Sequence, residues 1–139
     1  MVAYSFHRQF VDPIRRGEKT GTVRGGRMRH ANVGESVQLY TAMRTKHCRK
    51  ILTPDPVCIA VTPILIGFER EHPELISAIQ IDETWLSDAE IEDFAIRDGF
   101  GVNYPTGTAR WRMGQYWARS QPMLEAFLGV WVRWEARGD

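Results

Sequence analysis

The chain has 139 residues, 43% of them hydrophobic and 25% charged, with a formal net charge of +1. These values fit one compact domain over residues 1–139 and exclude a disordered or fibrous polypeptide. A charge so near zero excludes a global polyanion magnet, so contact with nucleic acid needs a local patch or a nucleobase pocket.

The VAYSFH run (Val2 to His7) alternates in β-favouring residues and predicts a first strand. Phe10, Val11 and Ile14 follow at helical spacing, with Pro13 near the start and Gly17 as a C-terminal cap, which predicts a short helix over 11–16. TGTVR (Thr20 to Arg24) then reads as a short strand, with Thr20 and Thr22 on one side and Gly21 and Val23 on the other. GGRMRHANVGES is a loop, and ESVQLYTAMR (Glu35 to Arg44) is a strand. CRKIL and VCIAVTPILIGFE are β-rich runs separated by TPDP, a turn signal; Pro63 marks a bend or bulge in the second. EHPELISAIQIDETW is ambiguous, with SAIQIDE readable as a strand after a turn at PELIS.

LSDAEIEDFAIRDGFG is the clearest helix. Ser87 and Glu90 form an S-x-x-E capping box, Ile91, Phe94 and Ala95 an apolar face, and Gly99 the stop. Asp88, Glu90, Glu92 and Asp93 read as acids favoured near a helix N-terminus. A second helix is expected over 108–119, and FLGVWVRWEAR closes the chain as a strand. No repeat, low-complexity tract or linker interrupts this order. It reads as α+β: five or six short strands with two to three flanking helices, pointing to a small twisted mixed β-barrel.

Charge is unevenly placed. Ten Lys or Arg residues fall between Arg15 and Lys50, and Arg8 precedes them, against Glu18 and Glu35 in that stretch; Glu69 to Asp98 is acidic. Such polarity belongs to a two-sided molecule or to two walls of one cleft. Two cysteines, Cys48 and Cys58, fit a reducing compartment, and the isolated His47-Cys48 pair makes no metal site. The N-terminal MVAYSFHRQF lacks the pattern of a signal peptide, and no apolar run reaches the ~20 residues of a membrane span. A cytoplasmic protein without metal, cofactor or membrane partner is expected.

Four residues in GEKTGTVRG can carry chemistry: Lys19, Thr20, Thr22 and Arg24. In an extended segment Thr20, Thr22 and Arg24 share a face, with Lys19 on the other face or at the strand mouth. A desolvated lysine is a candidate base, and a threonine hydroxyl becomes a nucleophile when a base takes its proton. Arginine grips a carbonyl oxygen, phosphate or carboxylate. A solvated edge strand, with threonine for β propensity and cations for edge protection, explains the same composition. Asp98, at a helix C-terminus against the dipole, has either a neutralising partner such as Arg97 or a role in proton transfer. Most of the late aromatics fit a core, but Tyr116 and Trp117 beside Gln115 combine a stacking surface with an amide suited to a base edge.

Phe6, Phe10, Ile14, Gly17, Lys19, Thr20, Thr22 and Arg24 form F-x-x-x-F-x-x-x-I-x-x-G-x-K-T-x-T-x-R, which resembles the N-terminal signature of ASCH domains. H-A-N-V-G-E (His30 to Glu35), F-A-I-R-D-G-F (Phe94 to Phe100) and F-L-G-V-W-V-R-W (Phe127 to Trp134) are similar to later blocks of that family. The resemblance implies a PUA-like β-barrel with a cleft for RNA or a modified nucleoside. It further implies, by likeness to small bacterial members, an amidohydrolase that removes the acyl group of N4-acetylcytidine. The catalytic set carried over is Lys19, Thr22 and Asp98, the last standing where those enzymes carry glutamate. Thr20, Arg24, Gln115, Tyr116 and Trp117 are the expected substrate contacts. A non-catalytic RNA or modified-nucleoside binding module and a ribonuclease are the alternatives.

Overall fold

The computed structural model describes residues 2–26, 29–101, 108–120 and 125–135. Arg27, the 103–107 approach to the second long helix, and residues 136–137 of the closing run lie outside them. The chain divides into two compact units, 1–61 with 131–139, and 62–130.

In the first unit the alternation of VAYSF forms strand β1 (Val2–Phe6), burying Val2, Tyr4 and Phe6 on one face. A 3-10 turn (Arg8–Phe10) leads into helix α1 (Val11–Arg15), which buries Ile14. Gly17 then takes a φ of 76°, the left-handed conformation glycine adopts without Cβ strain. Strand β2 (Gly21–Arg24) is followed by β3 (Val37–Thr41) and the two-residue β4 (Arg49–Lys50). β1 runs parallel to β3, pairing Val2 with Val37 through Phe6 with Thr41, and β4 pairs antiparallel on the other side of β3. A parallel pair needs a long crossover, and residues 7–36 supply it. Val37, Leu39, Phe10, Ile14, Ala31, Ile51 and Trp134 complete the core.

The strand expected to continue to Arg44 ends at Thr41, because Ala42 (φ 54°) and Arg44 (φ 67°) turn the backbone out of the extended region.

The remaining strands are β5 (Cys58–Phe68), β6 (Ile76–Ile81), β7 (Thr84–Trp85) and β8 (Ala126–Trp134), with β5 and β8 running through both units. In the second unit β5 pairs antiparallel with β6, Ile64 opposite Ile81, and the register of this pair shifts between Gly67 and Phe68. SAIQI is thus strand. Helix α2 (Asp88–Ala95) starts at the expected box: Ser87 Oγ accepts from Glu90 N at 3.2 Å, and Glu90 Oε1 accepts from Ser87 N at 2.9 Å. Instead of running to Gly99 as one helix, the chain widens after Ala95 into a π turn (Ile96–Phe100), where Gly99 has a φ of 102°. Helix α3 (Ala109–Ser120) follows, and Glu92 of α2 accepts from its first amides, Ala109 N at 3.0 Å and Arg110 N at 2.9 Å. Glu92 therefore satisfies orphan donors of the next helix as well as sitting early in its own.

Eight strands occur among the described residues, more than the five or six expected, because β4 and β7 are too short to leave a pattern in sequence. They fall in a three-stranded sheet, β1-β3-β4, and a five-stranded one, β2-β8-β5-β6-β7, with no closed barrel among the described residues. With three α-helices the class is α+β. No helix among the described residues is long and apolar enough to cross a membrane.

Ser87→Ala removes an N-cap acceptor and is expected to cost about 1 kcal/mol, read from the urea midpoint. The bonds from Ser87 hold the Glu90 carboxyl below its usual range. A depressed carboxyl stabilises the fold above its unfolded pKa, and that contribution disappears as pH falls through the folded value. The Ser87→Ala deficit should accordingly shrink in acid below the ordinary glutamate pKa, and a deficit independent of pH would contradict this linkage.

Candidate functional site

Phe6, Phe10 and Ile14 are all buried, and the two phenylalanine rings build the floor on which Lys19 and Arg24 rest. Past Gly17 the chain reverses: the amides of Glu18 and Lys19 both donate to the Pro13 carbonyl, at 2.9 and 3.1 Å. That turn points Lys19 back onto the aromatic floor. Its Nζ lies 4.9 Å from the Phe10 ring centre and 5.9 Å from that of Phe6, and the residue is only 3% exposed. A lysine so deeply buried is uncommon unless its head group is engaged.

Gly21 begins β2 beneath β8. A Cβ there would meet Trp131 Nε1 at 2.6 Å and the Val132 carbonyl at 3.1 Å, so the position admits only glycine without a shift of the strand. Thr20 is half-buried, and its carbonyl accepts from Trp134 N at 2.9 Å. Thr22 is 4% exposed. Its Oγ1 accepts from Arg24 Nε at 2.9 Å, an i to i+2 contact along one face of the strand. This bond uses a lone pair of the hydroxyl and leaves its proton to be donated elsewhere.

Arg24 is held on several sides. Nη2 donates to the Ser5 carbonyl at 2.6 Å, and the guanidinium lies 5.3 Å from the Tyr4 ring centre and 4.9 Å from that of Phe6. Phe6 thus carries Lys19 and Arg24 together and packs edge-on against Trp134. Tyr4 Oη in turn accepts from Ala31 N at 3.2 Å and shares a hydrogen bond with His30 Nδ1 at 3.1 Å. Beside Arg24 opens a cleft of about 420 Å³ lined by Ala3, Tyr4, Ser5, Gly25, Met43 and Arg44. Composition gave no reason to include Ser5, Met43 or Arg44; they join through β1–β3 pairing and the turn after Thr41.

The other expected site residues lie in the second unit. Asp98, 8% exposed, is buried within the π turn, while Arg97 is exposed and pairs with Asp93 at 3.0 Å. Arg112 closes that turn by donating from Nε and Nη2 to the Phe100 carbonyl at 2.8 and 2.6 Å. Gln115 Nε2 donates to the Glu74 carbonyl at 3.3 Å. Tyr116 packs against Phe100, with ring centres 5.5 Å apart, and Trp117 against Phe127 and Phe68 at 4.5 and 6.3 Å. These contacts give the two rings packing roles inside their own unit. Among the described residues no group of three His, Cys, Asp or Glu side chains could hold a metal ion.

Comparison of the chain with family models, with curated proteins and with solved structures gives no match.

Proposed function

We propose that the chain is an ASCH-type amidohydrolase, built on a PUA-like barrel, that removes the acyl group from N4-acylated cytidine in the cytoplasm. The observation that supports this most is a buried lysine and a buried threonine, Lys19 and Thr22, joined through Phe6 and Arg24 to one cleft. In an ordinary solvated edge strand both side chains would face water.

In this reading Lys19 acts as its neutral amine and takes the Thr22 proton. Thr22 Oγ1 attacks the acyl carbonyl carbon, and Arg24 or backbone amides hold the resulting oxyanion; one lost donor of that kind costs about 3–4 kcal/mol in activation energy. The bond from the carbonyl carbon to N4 breaks, the amine leaves with a proton, and an acyl ester remains on Thr22. Water then hydrolyses that ester. A direct attack by water, with Lys19 as base and Thr22 orienting it, has the same balance: one water in, cytidine and a carboxylic acid out. Asp98, by resemblance, returns the proton to the leaving amine.

Purified protein should release acetate and cytidine from N4-acetylcytidine, and Asp98→Asn should slow turnover by about 10²-fold or more. Absence of turnover by the wild-type protein sinks the proposal. Binding of RNA or nucleoside without turnover would favour the binding module, and release of oligonucleotide fragments the ribonuclease.

A further inference from the structure

Most of the basic N-terminal third is spoken for inside its own unit. Arg16 pairs with Glu18, Arg29 with Glu35, and Lys50 with Asp55 at 2.9 Å, a bond that raises the Lys50 ammonium above its usual value. Arg15 donates to the Ile51 carbonyl, and Lys19 and Arg24 belong to the site above. Arg8, Arg44, Lys46 and Arg49 are the exceptions: all four are exposed, and none has an acidic partner among the described residues; the last three lie together on the β3–β4 turn and β4.

Arg44 is also held where arginine is disfavoured. Its φ of 67° follows a φ of 54° at Ala42, and neither residue is the glycine or asparagine that such a turn favours. Thr45 fastens the turn, its N and Oγ1 both donating to the Ala42 carbonyl at 3.2 and 2.7 Å, while Oγ1 accepts from His47 N at 3.1 Å. The strained backbone sets Arg44 in the wall of the cleft that Arg24 also lines. One guanidinium fixed by Thr22 and Ser5 and a second without an acidic partner, in one small cleft, form a site for a compact anion with several acceptor oxygens.

We propose that this cleft binds a phosphate group, so that a nucleotide, free or within an RNA chain, is preferred as substrate over the bare nucleoside. The proposal rests on the reading that the chain takes an acylated cytidine. Arg44 is the residue that sets this preference, and Lys46 and Arg49 extend the same charge along the β3–β4 turn for neighbouring phosphates of a chain.

Calorimetric titration with cytidine, cytidine 5′-monophosphate and tricytidylate tests it. The monophosphate is expected to bind at least about tenfold more tightly than cytidine, with Arg44→Ala erasing the difference and Arg44→Lys keeping part of it. Arg44→Gly should erase it too while leaving the Tm no lower than wild type, since glycine relieves the φ. Tricytidylate binding more tightly than the monophosphate, with a steeper salt dependence, identifies RNA as the source of the phosphate; equal binding identifies the mononucleotide. Equal or undetectable binding of cytidine and its monophosphate, or a preference that survives Arg44→Ala, overturns the proposal. Turnover of N4-acetylcytidine without any phosphate preference overturns this inference and leaves the function standing. A phosphate preference that depends on Arg44, without turnover, does the reverse.

Discussion

Lys19→Met and Thr22→Val should each lower kcat/KM for N4-acetylcytidine by about 10³-fold or more, within the range of a lost general base or nucleophile. Both substitutions keep the volume. Methionine can lie over the Phe6 and Phe10 rings where the lysine Nζ sits, so its circular dichroism should remain that of a folded protein. Valine removes the acceptor of the Arg24 Nε bond, and leaving that donor unmet costs about 1–3 kcal/mol. A folded but inactive Lys19→Met is therefore the cleaner result, with Thr22→Ser expected to restore part of the activity lost in Thr22→Val. The two routes separate on the same proteins. If Thr22 is the nucleophile, a quenched reaction shows an acyl adduct on it by mass spectrometry; if water attacks directly, no adduct forms and Thr22→Val keeps more activity than Lys19→Met. Wild-type turnover in both Lys19→Met and Thr22→Val would remove them from the chemistry altogether.

Gly114→Ala should destabilise the protein by about 2 kcal/mol, against the direction that helix propensity predicts. Gly114 lies inside α3, where alanine is favoured over glycine by about 1 kcal/mol in an exposed helix. Yet it is buried against the backbone of residues 74–76: a Cβ would press into the Glu74 carbonyl oxygen and come within 3.5 Å of Ile76 N. The obstacle is main chain, which cannot rotate away as a side chain would. Overpacking of this kind costs about 1–3 kcal/mol or more and outweighs the propensity gain. It also disturbs neighbouring contacts made to the same segment, the Gln115 bond to the Glu74 carbonyl and the Arg110 bonds to the Ile76 carbonyl at 3.1 and 2.9 Å. Urea unfolding measures the sign directly, with exposed Arg119→Ala as a control expected within about 0.5 kcal/mol of wild type. A Gly114→Ala protein more stable than wild type would show that the helix can pull away from this segment.

How far the sequence could be read follows the range of each interaction. The Ser87–Glu90 box closes within four residues, so its letters specify its geometry. Gly17 after a short apolar-spaced helix, and the alternation of Val2, Tyr4 and Phe6, are local in the same sense. Glu92 is different: next to Asp88, Glu90 and Asp93 it looks like one more early acid of its own helix, but its carboxylate caps α3 some 17 residues further on. The end of β3 was equally hidden, since nothing in the letters Ala42 and Arg44 announces a positive φ.

By itself the sequence determined the α+β order, the principal helices and the candidate polar segment, because periodicity and caps are written in side chains near one another along the chain. Burial of Lys19 and Thr22, the shared Phe6 ring beneath Lys19 and Arg24, and the entry of Arg44 into the cleft were decided only by the tertiary structure. Hydrophobic alternation encodes which face of a strand is buried but not which strand lies beside it. The parallel pairing of β1 with β3 across residues 7–36 is such a choice, and it brings Ser5 beside the turn that carries Arg44.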